Sequence, residues 1–105
     1  MTTLVEQLSR YATALRYEDL PREVVHQAKR LIMDTVGCGL GGYSSEPARI
    51  ARDIAGTVRS SEGVSLIGSG ERTSPDLAAF ANGVMIRFLD FNDGYSDARR
   101  PDRAR

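Results

Sequence analysis

Cysteine and histidine occur once each in these 105 residues, and the charges cancel, with 14 lysines and arginines against 14 aspartates and glutamates. A single cysteine, Cys38, excludes an internal disulfide. With His26 as the only histidine, no spacing of thiolates and imidazoles is available for a zinc centre. Zero net charge removes whole-protein attraction to nucleic acid or to a membrane. The chain also lacks any run of roughly 18 apolar residues, so no segment reads as a membrane span. Its first residues, MTTLVEQLSR, carry polar and acidic side chains where a secretory signal would place an apolar stretch, and a cytoplasmic location is the expectation. Repeats and low-complexity tracts are missing as well. What remains is a length and a 41% hydrophobic content that suit one small domain.

The most informative stretch runs from Ser74 to Asp93, SPDLAAFANGVMIRFLDFND. Ser74 suits a helix cap, Pro75 the first helical position, and Asp76 the positive end of the helix dipole. Leu77, Phe80, Ala81, Val84 and Phe88 form one stripe at helical spacing, and Ala78, Ala79, Met85, Ile86 and Leu89 cover much of the remaining circumference. Such a helix needs neighbours on nearly every side. Asp90 stands near its C-terminal end, where the dipole disfavours an anion by roughly 0.3–1 kcal/mol. One explanation is a helix end frayed into solvent. The other is a carboxylate placed to carry a proton or meet a substrate.

Upstream, Thr3 and Glu6 have the spacing of a capping box, and Leu4, Leu8, Tyr11, Ala12 and Leu15 mark the stripe of an amphipathic helix ending near Arg16. After a turn at Tyr17 to Leu20, Pro21 opens a second helix whose buried face is expected at Val24, Val25, Ala28, Leu31, Ile32, Thr35 and Val36. Two helices across so short a loop imply an antiparallel hairpin. The run Gly37-Cys38-Gly39-Leu40-Gly41-Gly42 closes an apolar helical pattern, whereas a nucleotide-binding glycine motif follows a strand and opens a helix. Tight helix packing and a helix stop explain these glycines. His26 lies off the apolar stripe and is expected to face solvent, and Cys38 is expected to be a small buried residue. Ser45, Glu46 and Pro47 start a third helix with Ile50, Ala51, Ile54 and Val58 inward, Arg49, Arg52 and Asp53 outward, and Gly56 near its end. Val64 to Ile67, bounded by glycines, is a short extended segment. The fold class is therefore all-α, mainly helical, with a helical hairpin, further helices and one short extended segment.

The segments LPREVVHQAKRLIMDTVGCGLGGY, EPARIAR and SLIGSGERTSPDLAAFANGVMIRFLDFND resemble the N-terminal part of the MmgE/PrpD family, most closely its 2-methylcitrate dehydratase branch. The resemblance runs from about Leu4 to Asp93, and the ANG…RFLDFND block is its most specific part. It implies a chain several times longer, with a large all-helical domain built partly from later sequence. Residues 1–93 would then be part of that helical domain, and residues 94–105 a divergent, arginine-rich and disordered tail. The implied activity is that of a hydro-lyase on 2-methylcitrate or a similar tricarboxylate, without metal or organic cofactor, in a homodimer, within propionate metabolism. Relatives that decarboxylate cis-aconitate or epimerise a substrate show that the fold alone does not set the reaction.

Carried over position by position, the resemblance makes Asp90 a catalytic acid or base, Asp93 its support, and Arg87 a contact for a substrate carboxylate. Arg87 reads equally well as a snorkelling or ion-paired side chain on a buried helix. The family's pattern continues with a threonine and a His-Pro-Ser triplet, and here those positions hold Gly94 and Arg100-Pro101-Asp102. The expectation for this chain alone is inactivity. The alternative is a non-catalytic helical interaction segment that self-associates through apolar surface. Two further classes use the end of the chain. Asp90, Asn92, Asp93 and Asp97 would suit a divalent ion, but the glycine comes one residue early for an EF-hand loop and no glutamate closes it. Arg99, Arg100, Arg103 and Arg105 would suit phosphates, but Asp97 and Asp102 interrupt the charge.

Overall fold

A computed structural model of the chain describes residues 1–91 and Gly94. The order is α1 (Leu4–Ala14), a single 3₁₀ turn (Tyr17–Asp19), α2 (Arg22–Gly42), α3 (Glu46–Ala55), the two-residue strands β1 (Val64–Ser65) and β2 (Arg72–Thr73), and α4 (Pro75–Phe88). The protein is mainly helical. It divides into two units, Met1–Arg30 and Leu31–Arg105. Residues beyond 94, with the expected tail, lie outside the described set.

In the first unit, local chemistry sets the helix ends. The Thr3 hydroxyl accepts from the Glu6 N–H at 3.2 Å and the Glu6 carboxylate accepts from the Thr3 N–H at 2.8 Å, closing the expected capping box. Pro21 stands before α2, and its carbonyl accepts from the N–H groups of Val24 and Val25. The two helices and the short turn between them lie where the spacing put them. Their faces differ from expectation, because α1 buries none of its residues, and Leu4, Leu8 and Tyr11 are 69%, 59% and 65% exposed. On α2, Val24, Ala28, Leu31, Ile32 and Val36 are exposed, and only its C-terminal residues Cys38, Gly39 and Gly42 are buried. An apolar stripe marks a face that can be buried, and burial requires a partner that the described residues do not supply.

The second unit is organised around α4. Its Ala78 and Ala81 meet Ala51 and Ala55 of α3, with Leu66 completing the buried cluster and Leu77 and Val84 at its margin. The inner face of α3 is thus Ala48, Ala51 and Ala55, and Ile50, Ile54 and Val58 are each more than two-fifths exposed. Alanine against alanine lets two helices approach closely, and that gain decides which face turns inward. Arg52, expected to face outward, instead bends back. Its guanidinium donates to the Tyr43 carbonyl at 2.6 Å and lies 3.7 Å from the centre of the Tyr43 ring, so it satisfies a backbone acceptor just past the end of α2 while stacking on an aromatic face.

The expected extended segment is one arm of a hairpin. β1 and β2 are antiparallel, with Val64 opposite Thr73 and Ser65 opposite Arg72, and the connection passes through Gly68 and Gly70 at φ 89° and 72°. Glycine adopts such positive values without the steric cost that a Cβ brings. Thr73, 1% exposed, donates its hydroxyl to the Ala55 carbonyl at 2.8 Å and so ties the hairpin to the last residue of α3. Thr73→Val keeps the shape and leaves that carbonyl without its buried donor. The expected loss is about 1–2 kcal/mol in urea unfolding, and an unchanged midpoint would show that the bond contributes nothing. Asn82 joins the same hairpin to α4: its side-chain oxygen accepts from the Ile67 N–H at 2.9 Å, and its amide nitrogen donates to the Ser65 carbonyl at 3.0 Å.

Pro75 begins α4 as expected, but Ser74, although extended at the cap position, makes no side-chain capping bond. Asp76 takes that place. Its carboxyl is held below the ordinary value by a hydrogen bond from the Ser74 hydroxyl and then by the Leu77 N–H. At the other end of the unit, α2 runs through its glycines and ends at Gly42, at the close of the run expected to pack and stop it. Close packing carries it on: a Cβ on Gly39 would lie 3.2 Å from an Ile67 methyl, and one on Gly42 would lie 2.2 Å from the Met85 carbonyl oxygen. The α2 end and α4 touch backbone to backbone there.

Candidate functional site

The C-terminal turn of α4 presents the two described candidates together. The helix ends at Phe88, with Leu89 still near helical values, and the chain then turns through Asp90 at φ 54°. Asp90 is the only described non-glycine residue in the left-handed region. Aspartate tolerates that region better than most side chains, yet glycine or asparagine is the usual solution just past a helix end. The Asp90 N–H donates to the Arg87 carbonyl at 3.1 Å, closing the turn.

The same turn brings the side chains into contact. Arg87 Nη2 lies 3.2 Å from Asp90 Oδ1, with 68% and 81% of the two side chains exposed. A pair so open to solvent contributes at most about 0.5 kcal/mol, so stability does not explain an acid at this position. Chemically the pair offers a carboxylate that can accept a proton beside a cation that can bind an anionic group. Asp93, the third expected site residue, lies outside the described residues.

The floor under this turn comes from α2. The Leu89 side chain covers Gly41, and the Cys38 sulfur lies 3.9 Å from the Phe91 carbonyl oxygen. Cys38 is free and buried, and His26 is exposed, as their positions in sequence suggested. Among the described residues no group of three or more His, Cys, Asp or Glu side chains is gathered for a metal ion, and no helix is long and apolar enough to cross a membrane. Asn82 is the structurally specific residue that periodicity did not single out. Its only signal was an amide side chain among apolar neighbours.

A model of the MmgE/PrpD N-terminal domain matches residues 6–101. The chain is 30% identical to cis-aconitate decarboxylase of Homo sapiens over 105 residues, covering 99% of this chain and 22% of that protein. It is 33% identical over 97 residues to the cis-aconitate decarboxylase-like protein oryM of Aspergillus oryzae, covering 88% and 19% of the two chains. With 2-methylcitrate dehydratase of Escherichia coli K12 it shares 36% identity over 81 residues, 75% of this chain and 17% of that one. The chain therefore spans about a fifth of the length of the curated relatives it matches. No solved structure gives a significant match. The Ser45-capped α3, the glycine-packed end of α2 and the acid-terminated α4 all lie within the matched residues, and the chain belongs to the MmgE/PrpD family.

Proposed function

We infer that this chain is the N-terminal part of the helical domain of a hydro-lyase that removes water from 2-methylcitrate or a similar tricarboxylate. One proton leaves a carbon next to a carboxylate, the hydroxyl leaves the neighbouring carbon, and an alkene and water result. Asp90 is the proton-transfer group of this segment and Arg87 a contact for a substrate carboxylate, with Asp93 in support. The observation that carries this reading is an acid kept at the disfavoured end of α4, in a left-handed turn that glycine or asparagine would fill with less strain, beside an arginine 3.2 Å away. The family match supports the reaction class, and the names of the relatives offer both dehydration and decarboxylation of tricarboxylates.

By itself the chain is expected to turn over no 2-methylcitrate, because a proton acceptor without its partner acid and without the pocket walls loses both terms of catalysis. The test is a chimera in which Glu6 to Asp93 replace the matching segment of the Escherichia coli dehydratase. Formation of the unsaturated tricarboxylate, followed by its absorbance, is the expected result. A chimera with native helix content and native size that forms no product would overturn the reading. Self-association of the isolated chain through the exposed Leu4, Leu8, Tyr11 and Ile32 would then favour an interaction segment instead.

A further inference from the structure

We propose that Gly41, near the end of α2, is a positioning residue that sets the aim of the Asp90 carboxylate, acting through Leu89. The inference rests on the assignment of Asp90 for its catalytic meaning, and on geometry alone for its physical content. A Cβ on Gly41 would lie 2.7 Å from Leu89 Cδ1 and 4.0 Å from Leu89 Cγ, with no other atom close. The Leu89 side chain therefore rests directly on the bare backbone of α2. Leu89 is the residue before Asp90, and it is the last position with helical values before the chain reverses into φ 54°. Where Leu89 sits decides where the left-handed turn begins, and the turn decides where the carboxylate points.

Gly41 and Gly42 separate two functions of the same helix end. A Cβ at Gly42 would meet the Met85 backbone oxygen, which can move only if the two helices part. A Cβ at Gly41 would meet only side-chain atoms of Leu89, so the clash falls on that residue and does not require the two helices to part. Gly42 thus holds the packing of α2 on α4, and Gly41 holds only the Leu89 side chain. Alanine at Gly41 leaves the fold in place and lifts Leu89, taking the Asp90 turn with it. The Cys38 sulfur, 3.9 Å from the Phe91 carbonyl oxygen, gives α2 a second contact with the chain just past Asp90.

The experiment is a mutant cycle on the full chain, read by the amide and side-chain carboxyl NMR signals of Asp90. Gly41→Ala is expected to keep the circular dichroism of the native chain and to shift both signals, with a change in the amide-to-Hα coupling that reports the Asp90 φ. Leu89→Ala is expected to move the same signals. Adding Gly41→Ala to Leu89→Ala should then move them no further, because the mediator is already gone. Unchanged Asp90 signals in folded Gly41→Ala, or an equal further shift in the Leu89→Ala background, would overturn the proposal. If the coupling is found while the chimera described above is inactive, the positioning stands and the catalytic assignment of Asp90 falls.

Discussion

Asparagine at position 90 is expected to cut water elimination by the chimera about 10²–10⁴-fold, the range for loss of a positioned proton-transfer group. Its melting temperature should hold level or rise slightly. The two effects have separate causes. Asparagine has the same shape as aspartate and fits the left-handed backbone at φ 54° at least as well. It also removes an anion from the C-terminal end of α4, a gain of about 0.3–1 kcal/mol, against loss of an exposed ion pair with Arg87 worth about 0.5 kcal/mol or less. Stability and turnover thus move in opposite directions, as expected where a strained residue is kept for its chemistry. A variant that keeps full turnover would remove Asp90 from the reaction. A variant that loses turnover together with several degrees of melting temperature would give the acid a structural role instead.

The second large effect is predicted at Gly42. Alanine there would place its methyl carbon 2.2 Å from the Met85 carbonyl oxygen and 3.2 Å from Phe88 Cβ, and neither atom can yield without moving the α4 backbone. Overpacking of this kind costs about 1–3 kcal/mol and at times more, and rigid backbone on both sides places Gly42 at the upper end. Against a total stability of about 5–15 kcal/mol for a domain of this size, that loss should lower the melting temperature by more than about 10 °C. The control lies five residues earlier on the same helix. A Cβ on Gly37 would meet nothing within 4 Å, so Gly37→Ala should stabilise by about 0.5–1 kcal/mol through helix propensity. Equal effects at the two positions would show that α2 does not seat on α4 through Gly42.

Features decided within a few residues were legible in the sequence. The Thr3–Glu6 box, the Ser45-Glu46-Pro47 start and Pro75 depend on contacts a turn apart, and all lie where the pattern put them. The buried faces were not legible to the same degree. Periodicity showed that α3 is two-faced and put Ala51 inward, but large aliphatic residues suggested Ile50 and Ile54 beside it, whereas close approach to α4 favours Ala48 and Ala55. The glycine run of α2 announced close packing, but which elements meet it, α4 and Ile67, whose packing offsets the poor helix propensity of those glycines, is a tertiary effect that required the fold. The anion at the end of α4 was visible as a conflict with the helix dipole. Its left-handed backbone, and the contacts of Arg87 and Gly41 that surround it, required the fold.

Asn82 has a consequence for how this small hairpin coexists with other chains. Leu66 N–H bonds to the Glu71 carbonyl across the ladder, so the Ser65 carbonyl and the Ile67 N–H point to the opposite, outer edge of the same arm. Those two groups are the pair that a third strand would bind. The Asn82 amide offers one acceptor and one donor in the arrangement of a peptide unit and occupies both at once. A single side chain thereby caps an open sheet edge, and the hairpin presents no template at that point for recruiting a strand from a neighbouring molecule.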